Sequence, residues 1–253
     1  MKASDYNLER DIFLSIPSGR VPYASSVNKF GANSAVGDGT EEYVWDGGGT
    51  YTFPTTATIT HVRSAVDSAA TQGLVIELQG LDANWNLNIQ NATLDGTNST
   101  TEVVLTTALI RIFRIKVTAG TVADQNIWVG ATGMAAATSK AIVQAGNNQT
   151  LMTIYTVPAN KTAYMTNYYY DYVRDAVKDP DSILFKLWVQ DNNSGYEPQL
   201  KHQKGVPKQA SPPPHHFKPY FKISQKSDIY ITATPDGADA YCHAGFDLIL
   251  LDN

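Results

Sequence analysis

The strongest constraint on the fold is a series of short strand-like segments that are separated by turn residues and show no sustained helical period. Residues 56–63 alternate polar and apolar side chains, as a half-buried strand does. Segment 110–117 carries apolar side chains on both faces, which predicts a strand that is buried on both sides. Further strand candidates lie at 74–78, 85–89, 151–157, 163–172, 183–190, 220–223, 229–234 and 246–251. The sequence therefore predicts an all-β protein of the sandwich or jelly-roll type.

Four short segments of the chain recur in the same order, with offsets of 102 to 109 residues. Residues 51–54 match 155–158, 74–78 match 183–187, 111–117 match 217–223, and 127–133 match 229–235. This period is too long for a solenoid unit of about 20–50 residues, but it is the size of a small β-domain. We therefore predict two tandem related β-sandwich or jelly-roll modules, residues 41–147 and residues 148–253.

Residues 1–40 differ from the rest of the chain, because short apolar islands stand among Ser, Gly, Asn and Pro. Residues 31–40 read as loop. We predict an extended N-terminal arm that docks either on its own domain or on a neighbouring subunit. Its candidate interface residues are Ile12, Phe13, Leu14, Val21 and Tyr23.

Residues 164–172 contain five tyrosines within nine positions. Tyrosine combines apolar area with a polar tip, which favours protein interfaces and also stacking against ligands. Three interpretations stay open: a sandwich strand whose tyrosines cover the sheet, a protein interface, and a platform for sugars. The interface candidates from this segment are Tyr168, Tyr169, Tyr170 and Tyr172.

Charge and cysteine content exclude several functional classes. The chain has 19 Lys and Arg against 24 Asp and Glu, a net charge of −5, so it lacks the basic field that attracts nucleic acid. Cys242 is the single cysteine, which excludes an intramolecular disulfide and a thiolate metal site. The sequence has no apolar run long enough for a membrane span and no signal-peptide pattern at its start, so we expect synthesis in the cytoplasm and no membrane partner.

Catalytic motifs are absent from the sequence. It contains no phosphate-binding loop, no nucleophile elbow and no His-Glu-x-x-His metal motif. His215 and His216, with Asp228 or Asp236, would make only a weak metal site, since adjacent side chains on a strand face opposite ways. Three carboxylates lie near tryptophans but also suit turns: Asp46, Asp82 and Asp191. We expect no enzymatic activity, no cofactor and no bound metal.

Two stretches of the chain resemble a known group of proteins. Residues 74–86, with the turn at 92–97 and the strand at 109–115, are similar to virion structural proteins of tailed bacteriophages, especially marine and cyanobacterial ones. Residues 154–164 and the ending 244–250 resemble the same group. The resemblance implies a β-sandwich or jelly-roll subunit that assembles by symmetry and has no catalytic residues.

The resemblance leads to an expected function. We expect a capsid cement or decoration subunit that is located in the virion, is made in the bacterial host cytoplasm, and stabilises the shell by binding the major capsid protein. Such a subunit would be a homo-oligomer, for example a trimer. One alternative is a tail, adaptor or fibre-base subunit. A second is a module that binds host glycans through the tyrosine segment or through Trp45, Trp85 or Trp188.

Overall fold

The computed structural model describes residues 11–173, 178–208, 210 and 212–253, and across these residues the chain is almost entirely β. A four-residue helix, α1 (Ile12–Ser15), comes first, and a short 3-10 turn lies at Ala136–Thr138. The strands are β1 (Ala24–Val36), β2 (Glu42–Tyr43), β3 (Ile59–Ser64), β4 (Val75–Asp82), β5 (Leu87–Thr93), β6 (Val103–Ala119), β7 (Ile127–Gly130), β8 (Ala141–Val143), β9 (Ile154–Thr156), β10 (Lys161–Val173), β11 (Ser182–Asp191), β12 (Gln199–Pro207), β13 (His215–Ile223), β14 (Ser227–Asp236) and β15 (Ala240–Asp252). The prediction of an all-β sandwich-type protein is confirmed.

These strands form three antiparallel sheets. The first sheet has the order β1-β15-β10-β13. The second sheet has the order β12-β11-β14-β2, and β9 also pairs with β14. The third sheet has the order β5-β4-β6-β3-β7-β8 and is built from consecutive chain between residues 59 and 143. The first and second sheets combine the C-terminal half of the chain with β1 and β2.

The first and second sheets enclose one hydrophobic core, here called core 1. The alternation along β11 shows how the sequence builds it, because Ile183, Phe185 and Leu187 are buried whereas Leu184 and Lys186 face outward. Tyr168, Phe185 and Phe246 are its largest fully buried side chains. The packing of two such faces is that of a β-sandwich.

A second cluster, core 2, lies mainly against the third sheet, with Ile59, Leu78 and Ile115 among its fully buried members. The two cores are not segregated by chain half. Phe113 of the third sheet packs into core 1, and Tyr230 of β14 packs into core 2. Strands β6 and β14 therefore contribute side chains to both cores, and β6 is buried on both faces over residues 109–113, as its sequence predicts.

A buried ion pair links these two strands. Arg111 of β6 and Asp228 of β14 form a two-pronged pair, with both nitrogen–oxygen distances at 2.8 Å. Asp228 also accepts hydrogen bonds from Thr156 and Asn192. The guanidinium of Arg111 lies 4.7 Å from the ring of Trp85, so its faces are covered as well as its edges. This pair ties the third sheet to the second through fully desolvated charges.

Much of the predicted arm belongs to the first sheet. Strand β1 pairs with β15 from Ala24 opposite Leu251 to Asn33 opposite Cys242. Gly31 allows this close packing, because a Cβ there would lie 2.5 Å from the backbone nitrogen of Thr153. Within the described chain, therefore, the arm docks on its own fold along β1. Its residues 1–10 lie outside the described residues.

The tandem arrangement of two related modules is not confirmed. Strands β4 and β11 each lie between two antiparallel neighbours, which agrees with the match of residues 74–78 to 183–187. The segments 111–117 and 217–223 differ, however, because the first lies in β6 beside β4 whereas the second lies in β13, in a different sheet from β11. Sheet partners therefore do not follow the sequence repeat.

Candidate protein interface

Helix α1 presents three consecutive apolar side chains to solvent. Asp11 caps the helix, since its carboxylate accepts a hydrogen bond of 3.0 Å from the amide of Phe13. Ile16, just after the helix, is buried. Ile12, Phe13 and Leu14 are 52%, 55% and 49% exposed. The side chains predicted from the sequence as an interface are therefore available to a partner, on a short helix that Ile16 holds in place.

Beside this helix lies a cavity of about 580 Å³, here called the apolar groove. Phe13 and Ile16 line one side of it, and the first sheet lines another. Phe246 and Leu248 point into core 1, so the alternate residues Asp247 and Ile249 face the groove on the opposite side of β15. The groove therefore lies on the outer face of the first sheet.

The other wall of the groove is an irregular part of β13. Met165 of β10 pairs with Phe221 of β13, and Asn167 pairs with His216. Between these two pairs β10 advances by two residues whereas β13 advances by five. Residues 217–220, here called the β13 arch, consequently bulge away from β10. Tyr220 in this arch meets Phe13 edge to face, with ring centroids 6.2 Å apart. The sequence interpretation missed Tyr220, although Pro219 beside it is a signal for a break in strand pairing.

Two further arm residues lie at the start of β1. Tyr23 has a positive φ of 61° and is 78% exposed, whereas Val21 is only partly exposed. The carbonyl of Tyr23 accepts a hydrogen bond of 2.9 Å from the amide of Asp252, which fixes its backbone against the end of β15. Tyr23 is thus a large, exposed aromatic side chain on a fixed backbone.

The tyrosine-rich strand requires a correction. Tyr168, Tyr170 and Tyr172 are buried in core 1, because alternation along β10 turns them toward the second sheet. Tyr169 faces outward and lies across Gly245, where an added Cβ would come within 2.3 Å of its ring. The three buried tyrosines are core residues and not a protein interface, which agrees with the interpretation of a strand that covers a sheet.

The rings of the three tryptophans that were considered as a sugar platform are partly or fully covered by other parts of the protein. Trp45 is buried in core 2. Trp85 lies over the guanidinium of Arg111, and Trp188 is partly buried with its ring nitrogen 3.0 Å from the hydroxyl of Thr232. These contacts give all three side chains structural roles.

The carboxylates near tryptophans hold loops. Asp82 accepts hydrogen bonds from the amides of Asn84 and Asn86, and Asp191 accepts one from the amide of Asn193. Burial raises the pKa of Asp46 to about 7, and its carboxylate accepts a 2.6 Å hydrogen bond from the amide of Leu151. Within the described residues, each of the three carboxylates accepts hydrogen bonds from backbone amides.

The structure separates the residues of the weak metal site. Asp228 is paired with Arg111, and His215 stacks on His202 with ring centroids 4.0 Å apart. Among the described residues, no cluster of three or more His, Cys, Asp or Glu side chains has a metal-binding arrangement. Cys242 is buried, and burial raises the pKa of its thiol to about 12.

The stacked histidines make stability depend on pH. The hydroxyl of Tyr168 lies 2.6 Å from Nδ1 of His202. Burial is the main cause that lowers the pKa of both His202 and His215 below the ordinary 6.5. The charges of His215 and Lys204 add to the lowering for His202, and those of His216 and Lys204 add to it for His215. The unfolded chain therefore takes up protons first as the pH falls. Stability from this pair is present above pH 6.5 and is lost below it.

Replacing His215 by phenylalanine should remove part of this dependence. Wild-type protein should lose more thermal stability than His215→Phe between about pH 7.5 and about pH 5.5, because the variant has one fewer proton-binding group to protonate. Differential scanning fluorimetry at the two pH values measures the effect. His61→Phe, which removes a histidine outside the pair, is the control, and equal slopes for wild type and His215→Phe would disprove the role of the pair.

Comparisons with known proteins do not assign the chain to a family. No protein-family model matches the sequence, and no curated protein matches it. Among the described residues, none of the helices combines the length and apolar character that crossing a membrane requires.

Proposed function

We propose that the protein is a structural subunit of a tailed-phage virion, and specifically a capsid cement or decoration subunit. The proposal joins the resemblance of residues 74–115 to such proteins with one observation on the surface. Ile12, Phe13 and Leu14 stand about half exposed beside Tyr220 and the apolar groove. Contiguous exposed apolar side chains of this kind mark protein interaction sites.

In this role the partner of α1 and Tyr220 is the major capsid protein or another virion protein. Many copies would repeat the same modest contact around a symmetric shell, so a small interface would hold firmly. The subunit would be made in the host cytoplasm, would assemble as a homo-oligomer, and would need no enzymatic activity and no cofactor. A tail, adaptor or fibre-base position would use the same surface with fewer copies.

A single charge in α1 should prevent attachment. Phe13→Asp places a carboxylate at the centre of the exposed apolar patch, where docking would desolvate it. We expect phage that carry this substitution to yield virions with about tenfold fewer copies of the protein, measured by quantitative mass spectrometry. Because Phe13 is half exposed, the stability of the isolated protein should change by only about 0.5 kcal/mol.

Val122→Asp is the matched control. Val122 is also 55% exposed but lies in the loop between β6 and β7, away from the groove. Its copy number in the virion should equal that of the wild type. Equal losses in both variants, or no loss in either, would remove α1 from the attachment surface.

A further inference from the structure

Lys29 carries a buried side-chain amine that has no carboxylate partner among the described residues. It lies in β1, is 2% exposed, and donates a hydrogen bond from Nζ to the carbonyl of Phe113. Burial, reinforced by the charge of Arg114, lowers the pKa of Lys29 well below its ordinary value. Among the described residues no Asp or Glu lies within ion-pair distance of it. A buried ammonium of this kind is costly unless an anion compensates it.

Lys29 lines a cavity of about 280 Å³, here called the basic cleft. The cleft lies between β1 of the first sheet and β4, β5 and β6 of the third. Arg114 and Lys161 also line it, and no Asp or Glu does. Lys161 is paired with Asp252, and burial favours the neutral amine of Lys29, so among the described residues Arg114 is the cation of the cleft without an ion pair.

Glu77, the acidic residue whose charge interacts with that of Arg114, already has other partners. Glu77 forms an ion pair of 2.9 Å with Lys116 and accepts a 2.7 Å hydrogen bond from the side-chain amide of Gln79. Arg114 itself donates a 2.7 Å hydrogen bond to the backbone carbonyl of Asn28. The cleft thus holds the positive charge of Arg114 beside the amine of Lys29, and a carboxylate that entered it would favour the charged form of Lys29.

The rim of the cleft is apolar. Leu87 and Ile89 of β5 line it and are 47% and 56% exposed. In the described chain β5 is an edge strand of the third sheet, and β1 is an edge strand of the first. A cation at the base, two aliphatic side chains at the rim and a free strand edge together fit an extended peptide with an acidic side chain between aliphatic ones.

We propose that the basic cleft binds an extended segment of a partner protein that inserts a carboxylate toward Lys29 and Arg114 and packs aliphatic side chains on Leu87 and Ile89. The choice of occupant rests on charge complementarity. This proposal deepens the assembly role proposed above, on which its biological meaning rests, because it states the chemistry of a neighbouring subunit. The cleft shares residues 26–28 of β1 with the apolar groove, but its other walls come mainly from β4, β5 and β6 and not from α1.

Peptide binding to the purified full-length protein tests the proposal without any virion. The probe is a fluorescein-labelled peptide Leu-Thr-Glu-Thr-Leu, whose carboxylate and leucines share one face when it is extended, compared by fluorescence anisotropy with its Leu-Thr-Gln-Thr-Leu analogue. We expect the Glu peptide to bind about tenfold more tightly than the Gln peptide, and Lys29→Met to abolish this difference. Methionine suits a buried site of this shape, so the variant should fold; its melting temperature checks this.

Lys186→Met is the matched control, since it removes the same charge from a lysine in β11 that pairs with Glu41. It should leave the preference for the Glu peptide unchanged. Equal binding of the Glu and Gln peptides, or a preference that survives Lys29→Met, overturns the proposal. Binding of octanoate without binding of either peptide also overturns it, and would identify a free aliphatic carboxylate as the ligand. These outcomes are independent of whether the protein is found in virions.

Discussion

Replacing Asp228 by alanine is expected to destabilise the fold by about 3–5 kcal/mol, because it leaves Arg111 buried and unpaired. Both side chains are almost fully buried, and the pair has two hydrogen bonds of 2.8 Å. The substitution also removes the acceptor for Thr156 and Asn192. Urea denaturation followed by tryptophan fluorescence measures the free energy of unfolding directly.

A surface pair provides the comparison. Glu77→Ala breaks the exposed pair with Lys116 and should cost less than about 1 kcal/mol. The double variant Arg111→Met with Asp228→Leu should recover much of the loss caused by Asp228→Ala, because it leaves no buried charge. A loss below about 1 kcal/mol for Asp228→Ala would show that the third and second sheets are not held by this pair.

Two truncations of the N-terminal region, one that removes β1 and one that retains it, should differ in their effect on folding. Removing residues 1–36 deletes β1 and leaves β15 as an exposed edge, so we expect no soluble, cooperatively folding protein. Removing residues 1–20 retains β1 and, among the described residues, removes mainly the buried side chain of Ile16, at a cost of roughly 1.5–3 kcal/mol. Soluble yield and thermal unfolding of the two truncated proteins measure the difference.

A point substitution checks the same contact within the full-length chain. Gly31→Ala would place a Cβ 2.5 Å from the backbone of Thr153 and should displace β1, whereas Gly205→Ala meets no atom within 4 Å and should be well tolerated. If the protein without residues 1–36 melts like the full-length protein, β1 is dispensable and the region is an arm over its whole length.

Local sequence patterns were sufficient for most strands, but they missed β12, and they missed β1, whose residues 31–36 read as loop. The alternation at 183–190 predicts β11, and the two-sided apolar pattern at 110–117 predicts the doubly buried part of β6. The exposure of Ile12, Phe13 and Leu14 also agrees with the sequence interpretation, since apolar islands in a polar segment have few neighbours to bury them. These features depend on residues that are close in the chain.

Contacts between residues far apart in the chain could not be predicted from local sequence patterns. Arg111 and Asp228 lie 117 residues apart, and the only local signal is a charge within an apolar strand, which predicts a buried partner without naming it. The burial of the tyrosines of β10 was ambiguous from the sequence. Alternation divides them between two faces of the strand, but it does not show which face meets the core. Lys29 and His202 gave no local signal at all, since their environments come from other strands.

Quantitative mass spectrometry of purified virions, with copies of the chain counted per major capsid protein, is the most direct test of the proposed cement role in a tailed phage. A decoration subunit should be present at a copy number that is a simple fraction of that of the shell protein, because symmetric decoration requires it. A few copies per particle would contradict the cement role and place the protein in the tail or at a vertex. Absence from the particle would contradict the virion assignment itself.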